Sequence, residues 1–289
     1  MFICHTVAEI RKYVREAKNR GQTVGFVPTM GYLHQGHLEL MRQAKKSCDI
    51  VVISIFVNPT QFGPQEDFAR YPRDLERDVE MAGEVGVDAV FNPPVEEIYP
   101  AGYCTYVEVE RITERLCGLS RPGHFRGVAT VVAKLFNIVC PDQAFFGQKD
   151  AQQVLVIKRM AADLNMDLEV VTVPTVREAD GLAMSSRNVY LDAAQRQAAL
   201  VLFRSLQAAA EAVAAGRRDV STIRQLVVGT IRAEPLAEID YVEIYSHPDL
   251  EPVATLNGPA LLALAVKIGR TRLIDNIILG VRDHVSNIV

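Results

Sequence analysis

At 289 residues the chain exceeds a typical single domain and suits one large and one smaller domain. Hydrophobic residues make up 49% and charged residues 23%, and the apolar run 50–57, broken only by Ser54, is too short to span a bilayer. The formal net charge of −4 gives no general attraction to nucleic acid or to an anionic membrane, so neither is expected as a partner.

The opening residues lack the basic start and long apolar core of a signal peptide. The five cysteines, Cys4, Cys48, Cys104, Cys117 and Cys140, are widely spaced with no CxxC pair. They read as reduced thiols of a cytoplasmic protein. Thr6 and Glu9 form a capping-box pattern, and Ile10, Tyr13, Val14 and Ala17 continue one apolar face to Gly21. The apolar run Val24–Val27 predicts a strand, 28–37 a glycine-bearing turn, and the residues after it a helix ending near Ser47. A strand at Ile50–Val57 and a proline-rich loop follow, then a helix from about Asp74 to Gly86 and a short strand at Ala89–Phe91. Further on come a strand at Thr105–Val109, a basic turn at 121–127, a helix at Val128–Val139 and a strand around Ala144–Phe146. Residues 147–150 break that strand, ahead of a helix at Ala151–Leu164 and a strand at Leu168–Val173. Alternation of strand and helix over this length predicts an α/β fold with a parallel sheet covered on both faces.

The pattern changes after Pro174. Arg177–Asn188 reads as a polar loop, followed by helices at about Ala193–Ala215 and Val220–Ala233. Strand-like runs at Ile239–Tyr245, Leu261–Ile268 and Arg272–Leu279 complete a small α+β domain. The expected domains are 1–175 and 176–289.

The stretch Pro28-Thr29-Met30-Gly31-Tyr32-Leu33-His34-Gln35-Gly36-His37 carries the strongest chemical signal. Free backbone N–H groups and the positive end of a helix dipole make a strand-to-helix junction a natural anion site. His34 and His37 lie within reach of one point on the first helical turn, suited to stabilising charge on a phosphate, protonated imidazole better than neutral. A pair of capping or core histidines is the other reading. A zinc site is disfavoured, because no cysteine or acidic cluster nearby completes a ligand set. With no GxGxxG fingerprint, the motif points to adenylate transfer rather than hydride transfer.

Met184-Ser185-Ser186-Arg187 offers two hydroxyls and a planar guanidinium, which suit a polyphosphate but also suit a solvated linker. Lys149 follows Gly147 at a strand end, where a cation opposes the helix dipole, so a ligand role is favoured. Asn58, Gln61, Gln148, Gln152 and Gln153 supply neutral amides fit for hydroxyl or carboxylate recognition. His124 and Arg126, between Gly123 and Gly127, are either a surface loop or a substrate contact.

Several blocks, in this order, resemble one family. They are Pro-Thr-Met-Gly-x-Leu-His-x-Gly-His (28–37), Val-Asn-Pro-x-Gln-Phe (57–62), Glu-Asp-Phe-x-x-Tyr-Pro-Arg (66–73) and Arg-Pro-Gly-His-Phe-Arg-Gly-Val (121–128). Phe-Gly-x-Lys-Asp (146–150), Arg-Glu-x-Asp-Gly-Leu-Ala-Met-Ser-Ser-Arg-Asn (177–188) and Arg272–Asn276 continue the series. Together they resemble the pantothenate synthetases, the AMP-forming pantoate–β-alanine ligases of the HIGH-type nucleotidyltransferase superfamily. The resemblance implies an N-terminal Rossmann-like, doubly wound ATP- and pantoate-binding domain and a smaller C-terminal α+β domain that closes over ATP as a lid.

The same resemblance implies the following roles. ATP is held by Met30, Gly31, Tyr32, Leu33, His34, Gln35, Gly36 and His37, by Gly147, Gln148, Lys149 and Asp150, and by Val176, Met184, Ser185, Ser186 and Arg187. His37 acts as proton-donating catalytic residue, with His34 beside it. Gln61 and Gln153 bind pantoate, and Gln61 also meets β-alanine. Mg²⁺ accompanies ATP, its protein ligands unassigned, and the chain forms a homodimer. A cytidylyltransferase-like enzyme, a tRNA-charging enzyme and a non-catalytic nucleotide-binding module are the competing readings, separated by acid-dependent pyrophosphate exchange, by an RNA-binding domain and by turnover.

Overall fold

A computed structural model describes residues 1–64 and 66–280. Within them the chain divides into two compact units. One comprises Met1–Gly147 with Gln152–Val173; the other comprises Gln148–Ala151 with the residues from Pro174 onward. Contacts therefore assign the short piece Gln148–Ala151 to the second unit, where a single cut after residue 175 would place it in the first.

The first unit is built on six parallel strands: β1 (Phe2–Cys4), β2 (Val24–Thr29), β3 (Ile50–Ile55), β4 (Ala89–Phe91), β5 (Gln143–Gly147) and β6 (Glu169–Val173). Their order is β1-β4-β3-β2-β5-β6, and each adjacent pair is parallel. The chain order reverses between β2 and β5, the kind of switch point beside which ligands of open α/β sheets bind. Helices α1 (Val7–Asn19), α2 (Gln35–Ser47), α3 (Leu75–Glu84), α4 (Val95–Ile98), α5 (Cys117–Ser120), α6 (His124–Val139) and α7 (Ala151–Asp163) alternate with the strands. Helix α1 packs on α6 and β2, whereas α2 packs on β2, β3, β5 and α3. All six residues of β3 are buried, as a strand covered on both faces requires. The Thr6–Glu9 capping box is present at α1, whose buried face is Ile10, Val14 and Ala17.

Several expectations change. Thr105–Val109 is not a strand; the Val107 N–H donates to Thr130 Oγ1 of α6 at 2.9 Å rather than to a neighbouring strand. Helix α6 begins at His124, its N-cap Gly123 at φ 80°, four residues before the apolar run that signals it. Strand β3 ends at Ile55, two residues short of Val57, although the Phe56 N–H still bonds the Thr29 carbonyl of β2 at 3.0 Å. The edge strand β1 was not anticipated.

The second unit has helices α8 (Ala193–Ala198), α9 (Leu200–Ala214) and α10 (Val220–Arg232) and an antiparallel sheet. Its strands are β7 (Ala237–Ser246), β8 (Ala260–Ile268) and β9 (Thr271–Leu279), in that order. The single helix expected over 193–215 is interrupted at Ala199, where Leu202 N–H bonds three residues back. Leu202, Leu206, Ile223, Val227, Leu262 and Leu264 form its core. Among the described residues no helix is long and apolar enough to cross a membrane.

Candidate active site

The end of β2 runs into a turn that is gripped by two consecutive residues of α3. Asp78 is 0% exposed, and its carboxylate accepts the N–H of Tyr32 at 2.6 Å and of Leu33 at 2.7 Å. Arg77 donates to the Leu33 carbonyl at 2.9 Å and lies 5.0 Å from the centre of the Tyr32 ring. Burial raises the Asp78 carboxyl above its usual range, while the two N–H groups and Arg77 pull the other way. Gly31 sits at φ +81°, and a Cβ there would stand 2.9 Å from Asp78 Oδ2 and from Ile55 Cγ2. Its missing side chain makes room for this internal carboxylate. The backbone donors expected to meet an external anion at Tyr32 and Leu33 are therefore occupied by an anion of the protein itself.

Two imidazoles stand at the start of α2. His34 is the N-cap of α2, and its Nδ1 accepts from Gly36 N–H at 3.1 Å. His37 reaches back, its Nδ1 accepting from His34 N–H at 3.3 Å. The ring centroids are 4.0 Å apart. With each Nδ1 an acceptor, the neutral ring carries its proton on Nε2. The geometry thus fits rings whose Nδ1 accepts from the backbone and whose Nε2 donates.

A second cluster of the same unit fixes Gln61. Asn58, 1% exposed, donates from Nδ2 to Gln61 Oε1 at 3.0 Å and to the Gly127 carbonyl at 3.2 Å. Gln61 Nε2 donates to Met30 Sδ at 3.2 Å, which joins the two motifs. The Gln61 carbonyl accepts from His124 Nδ1 at 2.8 Å and from Arg121 at 3.3 Å, while Arg121 donates to His124 Nε2 at 2.9 Å. Arg121 also clasps Glu66 with two bonds of 2.6 Å. Burial alone would raise the Glu66 carboxyl, but Arg121 outweighs it and holds the group below its usual range. Gly127 is obligatory here, because a Cβ would lie 2.3 Å from the Thr60 carbonyl oxygen. His124 thus positions Gln61, whereas Arg126 is exposed and stacks over Tyr106 at 4.0 Å. Gln152 is buried and bonds Cys117 N, Ile112 O and Arg115 O; its half-buried neighbour Gln153 follows on α7.

In the second unit, Gln148–Asp150 forms a 3-10 turn, with Lys149 Nζ 3.8 Å from Asp150 Oδ1. Residues 176–184 are a tight hairpin rather than a loop: Met184 N–H bonds Val176 O at 3.0 Å, and Arg177 pairs with Ala183. Gly181, at φ +97°, avoids Phe203, which a Cβ would meet at 2.0 Å. Ser185 then caps a second 3-10 turn, Ser186–Tyr190, accepting from Arg187 N–H at 3.2 Å. Asn188 donates to Glu178 at 2.9 Å, and Arg196 bonds both Glu178 and Asp180 at 2.6 and 2.9 Å. The segment expected to be a polar loop is thus braced by its own charges.

A family model described as pantoate-beta-alanine ligase matches residues 2–278. The chain belongs to the pantoate–β-alanine ligase family. It is 77% identical over 280 residues to the pantothenate synthetase of Pelotomaculum thermopropionicum, covering 97% of this chain and 99% of that one. Against the enzyme of Moorella thermoacetica the figures are 60%, 98% and 100%. Among solved structures it resembles pantothenate synthetase from Thermus thermophilus, with TM-score 0.92, 49% identity, and 97% of this chain and 100% of that one covered. The Francisella tularensis ligase, solved with β-γ ATP and β-alanine, matches at TM-score 0.79 and 34% identity over 96% of this chain and 97% of that one.

For this member of the ligase family, the structure brings together Met30 with Gln61, His34 with His37, and Val176 with Met184. The sequence alone assigns no role to Asp78, nor to Asn276 beyond its place in the Arg272–Asn276 block, yet both are buried polar groups that bond the backbone of the candidate turns. One signal was available. Asp78 and Ala82 are the buried residues of α3, so a carboxylate stands on that helix's inward stripe.

Proposed function

We propose that the chain joins pantoate to β-alanine with ATP, forming pantothenate by way of a pantoyl adenylate and releasing pyrophosphate and AMP. The observation that carries this reading is the tilted imidazole pair at the start of α2, both Nδ1 atoms engaged by backbone N–H groups. Two Nε2–H donors on a helix N-terminus suit a reaction whose first step spreads negative charge over an α-phosphate and its leaving pyrophosphate. The full-length family match and the β-γ ATP and β-alanine complex of the Francisella ligase support the choice of substrates.

In this account the pantoate carboxylate attacks the α-phosphorus, and His37, with His34, donates hydrogen bonds as charge develops. Lys149, Ser185, Ser186 and Arg187 hold the β- and γ-phosphates. Met30, Gly31, Tyr32, Leu33, Gln35 and Gly36 line the nucleotide, and Gly147, Gln148, Asp150, Val176 and Met184 hold the rest of it. Gln61 and Gln153 orient pantoate, and Gln61 meets the β-alanine amine that then displaces AMP from the acyl carbon. Positioning of this kind supplies much of the barrier lowering in phosphoryl and acyl transfer.

Among the described residues no group of three His, Cys, Asp or Glu could hold a metal. Mg²⁺ is accordingly proposed to arrive on the triphosphate, which supplies oxygen ligands of the kind Mg²⁺ prefers. It would neutralise phosphate charge there. A homodimer and a cytoplasmic location are further proposals, supported by the family resemblance and, for the location, by five free cysteines.

Incubation with pantoate, β-alanine, ATP and Mg²⁺ should yield pantothenate, AMP and pyrophosphate in equal amounts. ADP and phosphate in their place, or no acid-dependent pyrophosphate release, would overturn the reading.

A further inference from the structure

The turn that carries Lys149 is held by a side chain of β9. Asn276 is 5% exposed, and its amide is fully engaged. Nδ2 donates to the carbonyl oxygens of Gln148 and Lys149, both at 2.9 Å, and Oδ1 accepts from Gln148 Nε2 at 2.9 Å. Its backbone is anchored in turn: Asn276 N–H donates to Asp275 Oδ1 at 2.8 Å. Asp275, also buried, is gripped by Arg177 through two bonds of 2.6 and 2.9 Å.

The chemistry of this contact is specific. A primary amide offers two N–H donors and one acceptor in a plane, and no other side chain of this size does. Bonds to two successive carbonyls fix the peptide between them, and with it the direction in which the Lys149 side chain leaves the backbone. They also engage two oxygens that, once released, would compete with phosphate for the Lys149 ammonium. The contact spans 127 positions of sequence, so it is a tertiary device rather than a local turn preference. It also explains why Gln148–Ala151 groups with the second unit although it directly follows β5 of the first.

We propose that Asn276 is a positioning residue that sets the Gln148–Asp150 turn so that Lys149 can take the ATP phosphates. This rests on the reading of Lys149 as a phosphate ligand, and the test separates the two. The dissociation constant for ATP is measured by calorimetry on the full chain, which does not depend on which acid is activated.

Asn276→Leu keeps the branched outline of the side chain and removes all three bonds. It should weaken ATP binding about tenfold or more while pantoate binding stays within about twofold. Lys149→Ala should weaken ATP binding by at least as much. The double variant should bind ATP as Lys149→Ala does, because Asn276 acts through Lys149. Asn276→Ser, with one donor in place of two, should lie between wild type and Asn276→Leu, and it decides the matter should the leucine variant not fold. Asn276→Asp turns acceptors towards two carbonyls; its ATP affinity should recover as pH falls and the carboxyl gains a proton to donate, whereas Asn276→Leu shows no such recovery.

A purely structural role predicts otherwise. Val242→Ala, which trims the buried core of β7, serves as the control for lost stability. If it weakens ATP binding as much as Asn276→Leu does, or if the Asn276 and Lys149 effects multiply, the positioning role is wrong. If Lys149→Ala leaves ATP binding unchanged, the phosphate-ligand reading fails first, and Asn276 loses its function with it.

Discussion

Two turns carry the proposed nucleotide chemistry, and each is held by one buried polar side chain from a remote part of the sequence. In the turn after β2, Asp78 draws in backbone N–H groups, whereas in the turn after β5, Asn276 draws in backbone carbonyls. The difference matters because an anionic ligand wants donors. A carboxylate behind the first turn occupies the Tyr32 and Leu33 N–H groups, which shifts the task of meeting an anion toward the imidazoles of His34 and His37. An amide behind the second removes main-chain acceptors, leaving the Lys149 cation unopposed by those two oxygens. The same aim, a turn that favours phosphate, is reached from opposite sides of the peptide group.

The contrast predicts where damage falls hardest. His37→Ala removes a side-chain donor that no backbone group of the first turn can replace, and should lower pyrophosphate release on the order of 10²–10³-fold or more with the fold intact. A smaller loss would show that the main chain still serves the anion. Asp78→Asn substitutes an amide whose NH₂ must face one of two N–H groups. It should cost about 1–3 kcal/mol in denaturant unfolding and lower activity together with stability.

The glycines sharpen the point. Gly31→Ala meets both a positive φ and Asp78, and should destabilise by roughly 2 kcal/mol or more in thermal or urea melts. Gly147→Ala meets nothing within 4 Å among the described residues, so unfolding should barely change. Any loss there should appear in the KM for ATP, measured by AMP formation.

A modest effect is expected at the Glu66–Arg121 clasp that holds Gln61, where the pair is partly solvated. Because the folded-state pKa of Glu66 is lowered, its contribution is fully present above the usual carboxylate value of about 4.3 and is lost as pH falls through the lower folded value. Wild type should therefore exceed Glu66→Gln by about 1 kcal/mol near neutrality, and the gap should close in acid unfolding curves.

Much of this was legible from residues alone. The strands and helices of both units follow from apolar periodicity, and the thirteen-residue helix α2 begins at the histidine motif as its spacing implies. What local sequence does not carry is the far end of a tertiary bond. Nothing in 28–37 announces that Asp78, 46 positions from Tyr32, accepts its N–H, nor does 147–150 announce Asn276. Residues 105–109 misread for the same reason: an apolar alternation looks like a strand until a helix hydroxyl takes the N–H of Val107. His124 was ambiguous as a basic turn residue, and only its bond to the Gln61 carbonyl gives it a task.

The first turn presents histidine Nε2–H donors while each Nδ1 accepts from the backbone and Asp78 occupies the Tyr32 and Leu33 N–H groups. Two-bond ¹H–¹⁵N correlation spectra of the histidine rings near neutral pH test it most directly. His34 and His37, assigned by single substitution, should each show a protonated Nε2 and an unprotonated Nδ1. A proton on Nδ1 of either ring, alone or in an imidazolium, would contradict the account.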